Sequence, residues 1–433
     1  MTDASLTRRA LLRGGLTLGC SAAAFPLATR VTFAAAPGDN RLVVIVLRGA
    51  LDGLAAVAPY GDRAYAGLRP SLAVHPDDGA VDLDGRFALH PRLAPLAPLW
   101  ARGELAAVHA VSTPYRDKRS HFDGQDVLEN GGGASDGRLT EGRDGWLNRA
   151  LAHLPGARAE TAIAVGRESM LLLDGDNPAL SWAPTSDLGL SPQTYDLLER
   201  ISARDPLFAA AVAEAAEIDA RLDEMRATPS RDELRAEARE MRTGRGAGGA
   251  ADLEDEADAM RADPPARRID AASLAALSAE MLKGESRIAA FSLGGFDTHR
   301  RQHAAIRRPM AQLAEAITTL KAGLGPEIWG RTAVMCVTEF GRTARENGSG
   351  GTDHGTAGAM LYAGGALARA RVGGRWPGVG PGELYQDRDL MPTEDLRRHA
   401  AWTLRGLFGL PKDALERDVF PGVALGEDPR TLA

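Results

Sequence analysis

Six short, continuously apolar runs recur along the chain and predict six buried β-strands. Apolar positions in these runs do not alternate with polar ones, which is typical of strands covered on both faces of a parallel sheet. The runs lie at residues 41–47, 104–112, 161–166, 287–295, 332–338 and 359–365. The sequence therefore predicts an α/β fold in which a mostly parallel sheet is flanked by helices.

Residues 304–325, between the fourth and fifth runs, have a different period. Their apolar residues fall at steps of three and four, which predicts a helix with one apolar face and hence a strand–helix–strand unit. The positions concerned are Ile306, Met310, Leu313, Ile317 and Leu320.

Within residues 205–268, residues 208–227 are helical by period and composition, whereas residues 229–268 are charged, poor in large apolar side chains and interrupted by Gly and Pro. This composition predicts a solvated helical insertion with a mobile middle. Because the polar motifs described below follow strands on both sides of the insertion, residues 35–433 are predicted to form one domain.

The N-terminus resembles a twin-arginine export signal. Arg8 and Arg9 precede a modestly apolar stretch, Leu11–Leu27, that is too short and too weakly apolar to span a membrane. Small residues before position 35 predict removal of residues 1–34 by cleavage after Ala34. Two alternatives are an ordinary N-terminal helix and a lipoprotein anchored at Cys20.

A twin-arginine signal implies export in the folded state by the twin-arginine machinery, and hence a periplasmic or extracellular location. No other segment is long and apolar enough to cross a membrane. Once the signal is removed, Cys336 is the remaining cysteine, so no internal disulfide is expected. Cys336 lies within an apolar run, which predicts a buried thiol.

The overall composition is that of an ordinary soluble globular protein, with 44% hydrophobic and 25% charged residues. The formal net charge of −7 is mild, and no dense stripe of Lys and Arg with interleaved aromatic residues is present. Nucleic acid is therefore not expected as the main partner.

Polar side chains follow four of the predicted strands. The carboxyl ends of parallel strands meet at one edge of a sheet, so these side chains are expected to converge there. The candidate site residues are Asp52 after the first strand, Arg119, Ser120 and His121 after the second, Asp297, His299 and His303 after the fourth, and Glu339, Arg342, Asp353 and His354 after the fifth.

Carboxylates and imidazoles are ligands for Zn²⁺, Mn²⁺ or Fe, and one or two such ions could act on a phosphoryl or sulfuryl group. The chain has no G-x-S-x-G elbow, Walker loop or dinucleotide fingerprint, so no nucleotide cofactor is expected. Two residues also have plain structural interpretations. Asp52 lies in a common turn sequence, and Ser120 could cap a helix that begins at His121.

Five segments resemble an exported family called domain of unknown function 1501, which is grouped with the alkaline phosphatase and sulfatase superfamily. The segments are LRGALDGL, RSHFDGQD, GGFDTHRRQ, EFGRTAREN and GGTDHGT. The resemblance implies an alkaline phosphatase-like fold and a metal-dependent hydrolase of phosphate or sulfate esters. An alternative is a degenerate relative that binds metal, or an anionic ligand such as a surface glycan or lipid, without turnover.

The resemblance also implies roles for individual residues. Asp52, Asp353 and His354 would hold one metal ion beside Ser120 as the nucleophile. Asp297 and His299 would hold a second ion, with the missing ligand supplied by His121, His303 or Glu339. Either Arg342 or Arg119 would bind the anionic oxygens of the ester.

Overall fold

The computed structural model describes residues 39–182 and 270–433, apart from residues 117, 133, 136–137, 140–143 and 167–169. The predicted signal at 1–34 and the predicted insertion at 205–268 lie outside the described residues. In the described part, none of the helices is long and apolar enough to cross a membrane.

The strands within these ranges are β1 Arg41–Leu47, β2 Val57–Ala58, β3 Val81–Asp82, β4 Ala88–Leu89, β5 Leu105–Ser112, β6 Ala134–Ser135, β7 Arg138–Leu139, β8 Ala162–Val165, β9 Leu180–Trp182, β10 Ile288–Leu293, β11 Thr332–Val337, β12 Gly358–Ala363, β13 Arg371–Gly373, β14 Leu384–Tyr385, β15 Asp389–Leu390 and β16 Glu394–Asp395. All six strands predicted from the apolar runs are present, as β1, β5, β8, β10, β11 and β12.

The α-helices are α1 Gly53–Ala56, α2 Tyr65–Leu68, α3 Ala97–Ala101, α4 His121–Asn130, α5 Trp146–Leu151, α6 Ala271–Lys283, α7 Gln302–Ala305, α8 Arg307–Trp329, α9 Leu396–Phe408 and α10 Lys412–Ala414. Short 3₁₀ helices lie at Pro76–Asp78, Pro91–Leu96, Ala159–Thr161 and Leu171–Leu173, and a π-helical turn lies at Leu415–Val419.

One large sheet contains all six predicted strands, in the order β13-β5-β12-β11-β1-β10-β8-β9, with β16 also paired to β5. Strand β1 lies near its middle and pairs in parallel with both β10 and β11. All seven residues of β1 are buried, as the continuous apolar run predicted. With helices against this mixed, mostly parallel sheet, the α/β class is confirmed.

Strand β12 is an exception to the predicted parallel arrangement, because it runs antiparallel to both of its neighbours, β11 and β5. Its first residue, Gly358, therefore lies opposite Val111, near the carboxyl end of β5. The loop before β12 consequently reaches the same edge of the sheet as the loops that follow β1, β5, β10 and β11. We call this edge the carboxyl edge.

The predicted helix is α8, and its apolar positions Met310, Leu313, Ile317 and Leu320 are all fully buried. It packs against α6, which likewise faces the sheet. Its regular geometry is interrupted at Gly325, where φ is +67°, and Pro326 follows in the next turn. In β11, Cys336 is completely buried, and burial raises the pKa of its thiol.

Candidate functional site

Three loops at the carboxyl edge bring together His121, Asp297 and His354. One ligand atom from each of these residues lies within 4.8 Å of the other two, which is close enough for a shared metal ion. His121 opens α4 after β5, Asp297 follows β10, and His354 precedes β12. The antiparallel direction of β12 is what places His354 at this edge.

His299 belongs to the same group. Its Nε2 atom lies 3.0 Å from Asp297 Oδ1 and 2.9 Å from His354 Nε2. The Nε2 atom of His354 is in turn 3.1 Å from the same Asp297 oxygen. We call His121, Asp297, His299 and His354 the histidine cluster.

The outer nitrogen of each imidazole contacts a group that can only accept a hydrogen bond. In a neutral imidazole this arrangement places the proton on Nδ1 and leaves the lone pair on Nε2. The three contacts are His121 Nδ1 to Glu339 Oε1 at 2.7 Å, His299 Nδ1 to Asp353 Oδ1 at 3.2 Å, and His354 Nδ1 to the Arg119 carbonyl oxygen at 2.8 Å.

The inner nitrogens fit a metal ion. His121 Nε2 is buried, has no hydrogen-bond partner, and lies 3.4 Å from Asp297 Oδ2. Two unprotonated Nε2 atoms 2.9 Å apart, as in His299 and His354, would repel each other. Ligand nitrogens that each lie about 2.0–2.1 Å from a transition-metal ion come to about 3 Å of one another. A cation would therefore satisfy both features, and a donor set of three imidazoles and one carboxylate suits Zn, Mn or Fe.

Glu339 orients His121 from beneath the cluster. Its carboxylate is fully buried and accepts hydrogen bonds from the Gly49 amide at 2.9 Å and the Thr338 hydroxyl at 2.9 Å, besides the contact with His121. Burial acts to raise the pKa of Glu339, but the hydrogen bonds, led by that from His121, outweigh burial and lower it. The hydrogen bond to Glu339 in turn raises the pKa of His121.

The pKa values of His354 and Asp297 are shifted by different causes. Burial lowers the pKa of His354, which favours the neutral imidazole that a metal requires. For Asp297, burial opposes ionisation, yet Arg342 and His354 together hold the pKa below its usual value. The Phe340 ring lies 5.2 Å from the His121 ring and 5.1 Å from that of His354, measured between centroids, and so limits the movement of both.

Glycines allow the loop that carries Asp353 and His354 to pack tightly. A Cβ atom on Gly351 would lie 2.2 Å from the backbone of His299, and one on Gly355 would lie 2.5 Å from the backbone of Arg342. Any larger residue at either position would push this loop away from the cluster.

Arg342 does not have the role that the resemblance implied for it. Its side chain is buried and donates to the carbonyl oxygens of four residues and to Asp297 Oδ1, and its Nη1 atom also lies 3.5 Å from His299 Nε2, so its N–H groups are engaged within the protein. The four carbonyls belong to Gly49, Ala50, Phe296 and Thr352. Arg342 therefore fixes the loops of the carboxyl edge and holds Asp297, with no N–H group left for an anion.

Asp52 is also used differently from the expected metal ligand. Its carboxylate is buried, forms a 2.6 Å ion pair with Arg69, accepts from the Gln302 side-chain amide, and caps α1 through the amide of Leu54. Arg69 is itself fully buried, so the pair neutralises two charges inside the protein. The structure thus gives Asp52 a structural role in place of a shared site with Asp353 and His354.

The remaining predicted residues divide between the cluster and its surroundings. Asp353 orients His299 from outside, while His303 is exposed on α7 near His90. Ser120 is the N-cap of α4, as its alternative interpretation stated, and its hydroxyl accepts from the Asp123 amide at 3.5 Å. The resemblance implied separate metal sites for Asp297 with His299 and for His354, and the described residues bring these three side chains together in one cluster.

Three contacts near the cluster were not anticipated from the sequence. Asn347 donates to Asp353 Oδ1 at 3.0 Å, Gln302 contacts Asp52, and Arg388 donates to the His354 carbonyl at 2.9 Å. Asn347 and Gln302 lie within quoted motifs, so proximity in the sequence could have indicated them. Arg388 lies more than thirty residues beyond His354, in a stretch with no distinctive pattern.

A comparison with curated proteins finds no match. A family model described as a protein of unknown function, DUF1501, matches residues 106–416. This range contains the whole histidine cluster together with Glu339, Arg342 and Asp353, and begins after Asp52. Because the match covers more than half of the 433 residues, the chain belongs to the DUF1501 family.

Proposed function

We propose that this protein is a metal-dependent hydrolase of phosphate or sulfate esters whose ion is held by the histidine cluster. The observation that carries the proposal is the arrangement of the three imidazoles. Each Nδ1 contacts a fixed acceptor, and the three Nε2 atoms converge on the carboxylate of Asp297. Preorganised ligands of this kind, each supported by an outer acceptor, are typical of protein metal sites.

A bound Zn, Mn or Fe ion would supply Lewis-acid polarisation of an ester oxygen and would lower the pKa of a coordinated hydroxyl or water. The protein supports this chemistry with charges of its own. Glu339 keeps the Nδ1 proton of His121 in place, Asp353 does the same for His299, and Arg342 holds Asp297 ionised. Ser120, one residue before His121, carries the hydroxyl that would attack the phosphorus or sulfur atom of the ester. The bond to the alcohol would break, the alcohol would leave with the hydroxyl proton, and water would then release phosphate or sulfate from Ser120.

The assignment to ester hydrolysis rests on the resemblance to the alkaline phosphatase and sulfatase superfamily, together with Ser120 as the residue before His121 in the chain. The same resemblance suggests an alkaline phosphatase-like fold, with which the mostly parallel sheet agrees. The resemblance of the N-terminus to a twin-arginine signal, with Arg8 and Arg9, supports a periplasmic or extracellular location for this activity.

The function can be tested on protein purified from the exported fraction. Metal analysis should find one equivalent of a transition metal, and the protein should hydrolyse an aryl phosphate or an aryl sulfate. His354→Ala should lose both metal and activity, whereas His75→Ala, at a half-exposed histidine, should lose neither. Metal-free wild-type protein, or His354→Ala with full activity, would refute the proposal.

A second candidate function is metal and anion binding without turnover. It is favoured by the engagement of Asp52 with Arg69 and of Arg342 with four carbonyls, because the implied second metal site and its anion clamp are then incomplete. One equivalent of metal with no hydrolysis of either aryl ester would support this alternative.

A double substitution of Arg8 and Arg9 by lysine tests the location separately. If the twin-arginine route is used, this variant should accumulate inside the cell with its metal content unchanged. Export of the variant at the wild-type level would exclude the route.

A further inference from the structure

We propose that Arg388, together with Arg119, forms the binding site for a tetrahedral oxyanion beside the histidine cluster. This inference rests on the proposed function, because it identifies the part of that site which recognises the phosphate or sulfate group of the ester. The argument begins with Arg342, whose N–H groups are engaged within the protein, so the anion requires another cation.

Arg119 and Arg388 both contact His354, Arg119 through its backbone carbonyl and Arg388 through its guanidinium. The carbonyl oxygen of Arg119 lies 2.8 Å from His354 Nδ1, and Nη1 of Arg388 donates to the His354 carbonyl at 2.9 Å.

The two arginines share a single carboxylate. Asp389 is fully buried and pairs with Arg388 at 2.7 Å and with Arg119 at 3.3 Å, and it also accepts from the Thr356 hydroxyl at 2.9 Å. Two guanidinium groups and one carboxylate sum to one positive charge. Because the arginine side chains are 36% and 28% exposed, that charge is accessible from solvent.

Both arginines retain unused N–H groups. Within the described part of the chain, the guanidinium of Arg388 donates only through Nη1, and that of Arg119 only through one Nη2 contact. The Nε atom of Arg119 is buried without a hydrogen-bond partner. A guanidinium with free N–H groups can bind two oxygens of a phosphate or sulfate at once.

The backbone holds both side chains in defined positions. Residues 342–344 lie between the His354 loop and the Arg388 loop. They pair with His354 through Arg342 and with Asp389 through Thr343. Arg119, Gln386 and Asp387 adopt left-handed conformations with φ of +53° each, which are unfavourable for residues with a Cβ atom. Strained residues of this kind cluster at ligand sites, where they fix contact groups.

Titration of the metal-loaded full-length protein with inorganic phosphate, and separately with inorganic sulfate, tests the inference by calorimetry. The wild-type protein should bind at least one of the two anions, and the tighter anion indicates which ester is the substrate. Arg388→Gln should weaken that binding at least tenfold without changing the metal content. Arg388→Lys keeps the positive charge but loses the paired N–H groups of the guanidinium. Its affinity for the anion should lie between those of the wild type and Arg388→Gln.

Arg345→Gln is the matched control, since Arg345 is an exposed arginine on the neighbouring segment and its loss removes the same charge. It should bind the anion like the wild type. The inference is overturned if neither anion binds the wild type, if Arg388→Gln binds it as tightly, or if Arg345→Gln weakens binding equally. If Arg388-dependent binding occurs without hydrolysis of any ester, the inference stands and the proposed hydrolase function fails.

Discussion

Replacing Glu339 with glutamine keeps the shape of this buried side chain and removes the negative charge that His121 Nδ1 contacts at 2.7 Å. The amide oxygen can still accept from His121 and Gly49. The amide nitrogen can donate to the Thr338 hydroxyl, whose single hydrogen is then free to point to the Leu47 carbonyl instead of to residue 339. The fold should therefore survive, and the loss of charge should act on the basicity of His121.

The expected size of the effect follows from comparable sites. Loss of an outer carboxylate from a metal-binding histidine typically lowers metal affinity by about 10–100-fold. At about 1.4 kcal/mol for each factor of ten, this corresponds to about 1.4–2.8 kcal/mol. Since Glu339 is fully buried and its contact with His121 is short, we expect the upper half of this range.

Competition with a chromophoric chelator at fixed pH measures the affinity directly, and circular dichroism checks the fold of the variant. Glu346→Gln is the matched control, because Glu346 lies on the same segment and accepts from Ser71, away from the cluster. Wild-type affinity in Glu339→Gln would refute the idea that Glu339 supports a metal ligand, as would an equal loss in Glu346→Gln.

Three further predictions concern the neighbouring residues. Asp52→Asn leaves the buried Arg69 unpaired and should lower the free energy of unfolding by about 3 kcal/mol or more in denaturant titrations. The number of metal ions bound should stay unchanged, and loss of metal would show that Asp52 is a metal ligand after all. Ser120→Asn keeps a good helix cap but removes the hydroxyl, so it should abolish ester hydrolysis at nearly wild-type stability. Ser120→Ala should abolish hydrolysis and also lower the free energy of unfolding by about 1 kcal/mol. Activity in Ser120→Asn would exclude Ser120 as the nucleophile. Burial lowers the pKa of His109 from 6.5 to about 4, so between these pH values only the unfolded chain binds a proton at this residue. Acidification from pH 6.5 to 4 should therefore remove about 3 kcal/mol of stability that His109→Gln does not lose. Equal dependence of the free energy of unfolding on pH in both proteins would contradict this.

The strands and the main helix could be predicted from the sequence because each buries a continuous or periodic set of apolar residues. The run at 41–47 became β1, and the pattern from Met310 to Leu320 became the buried face of α8, with Ile306 as its N-cap. The same patterns do not encode strand direction. Strand β12 runs antiparallel, yet its apolar run is as continuous as that of β1, since burial on both faces is independent of direction.

The sequence by itself determined which chemical groups follow the strands, and therefore that carboxylates and imidazoles would gather at one edge of the sheet. Only the tertiary structure decided how they are used. Asp52 is neutralised by Arg69, while Asp297 joins three imidazoles, although both are aspartates that follow buried strands. The role of a charged group depends on which partners approach within a few ångströms, and those partners come from segments far away in the chain. Local sequence patterns fix the elements, and their packing fixes the site.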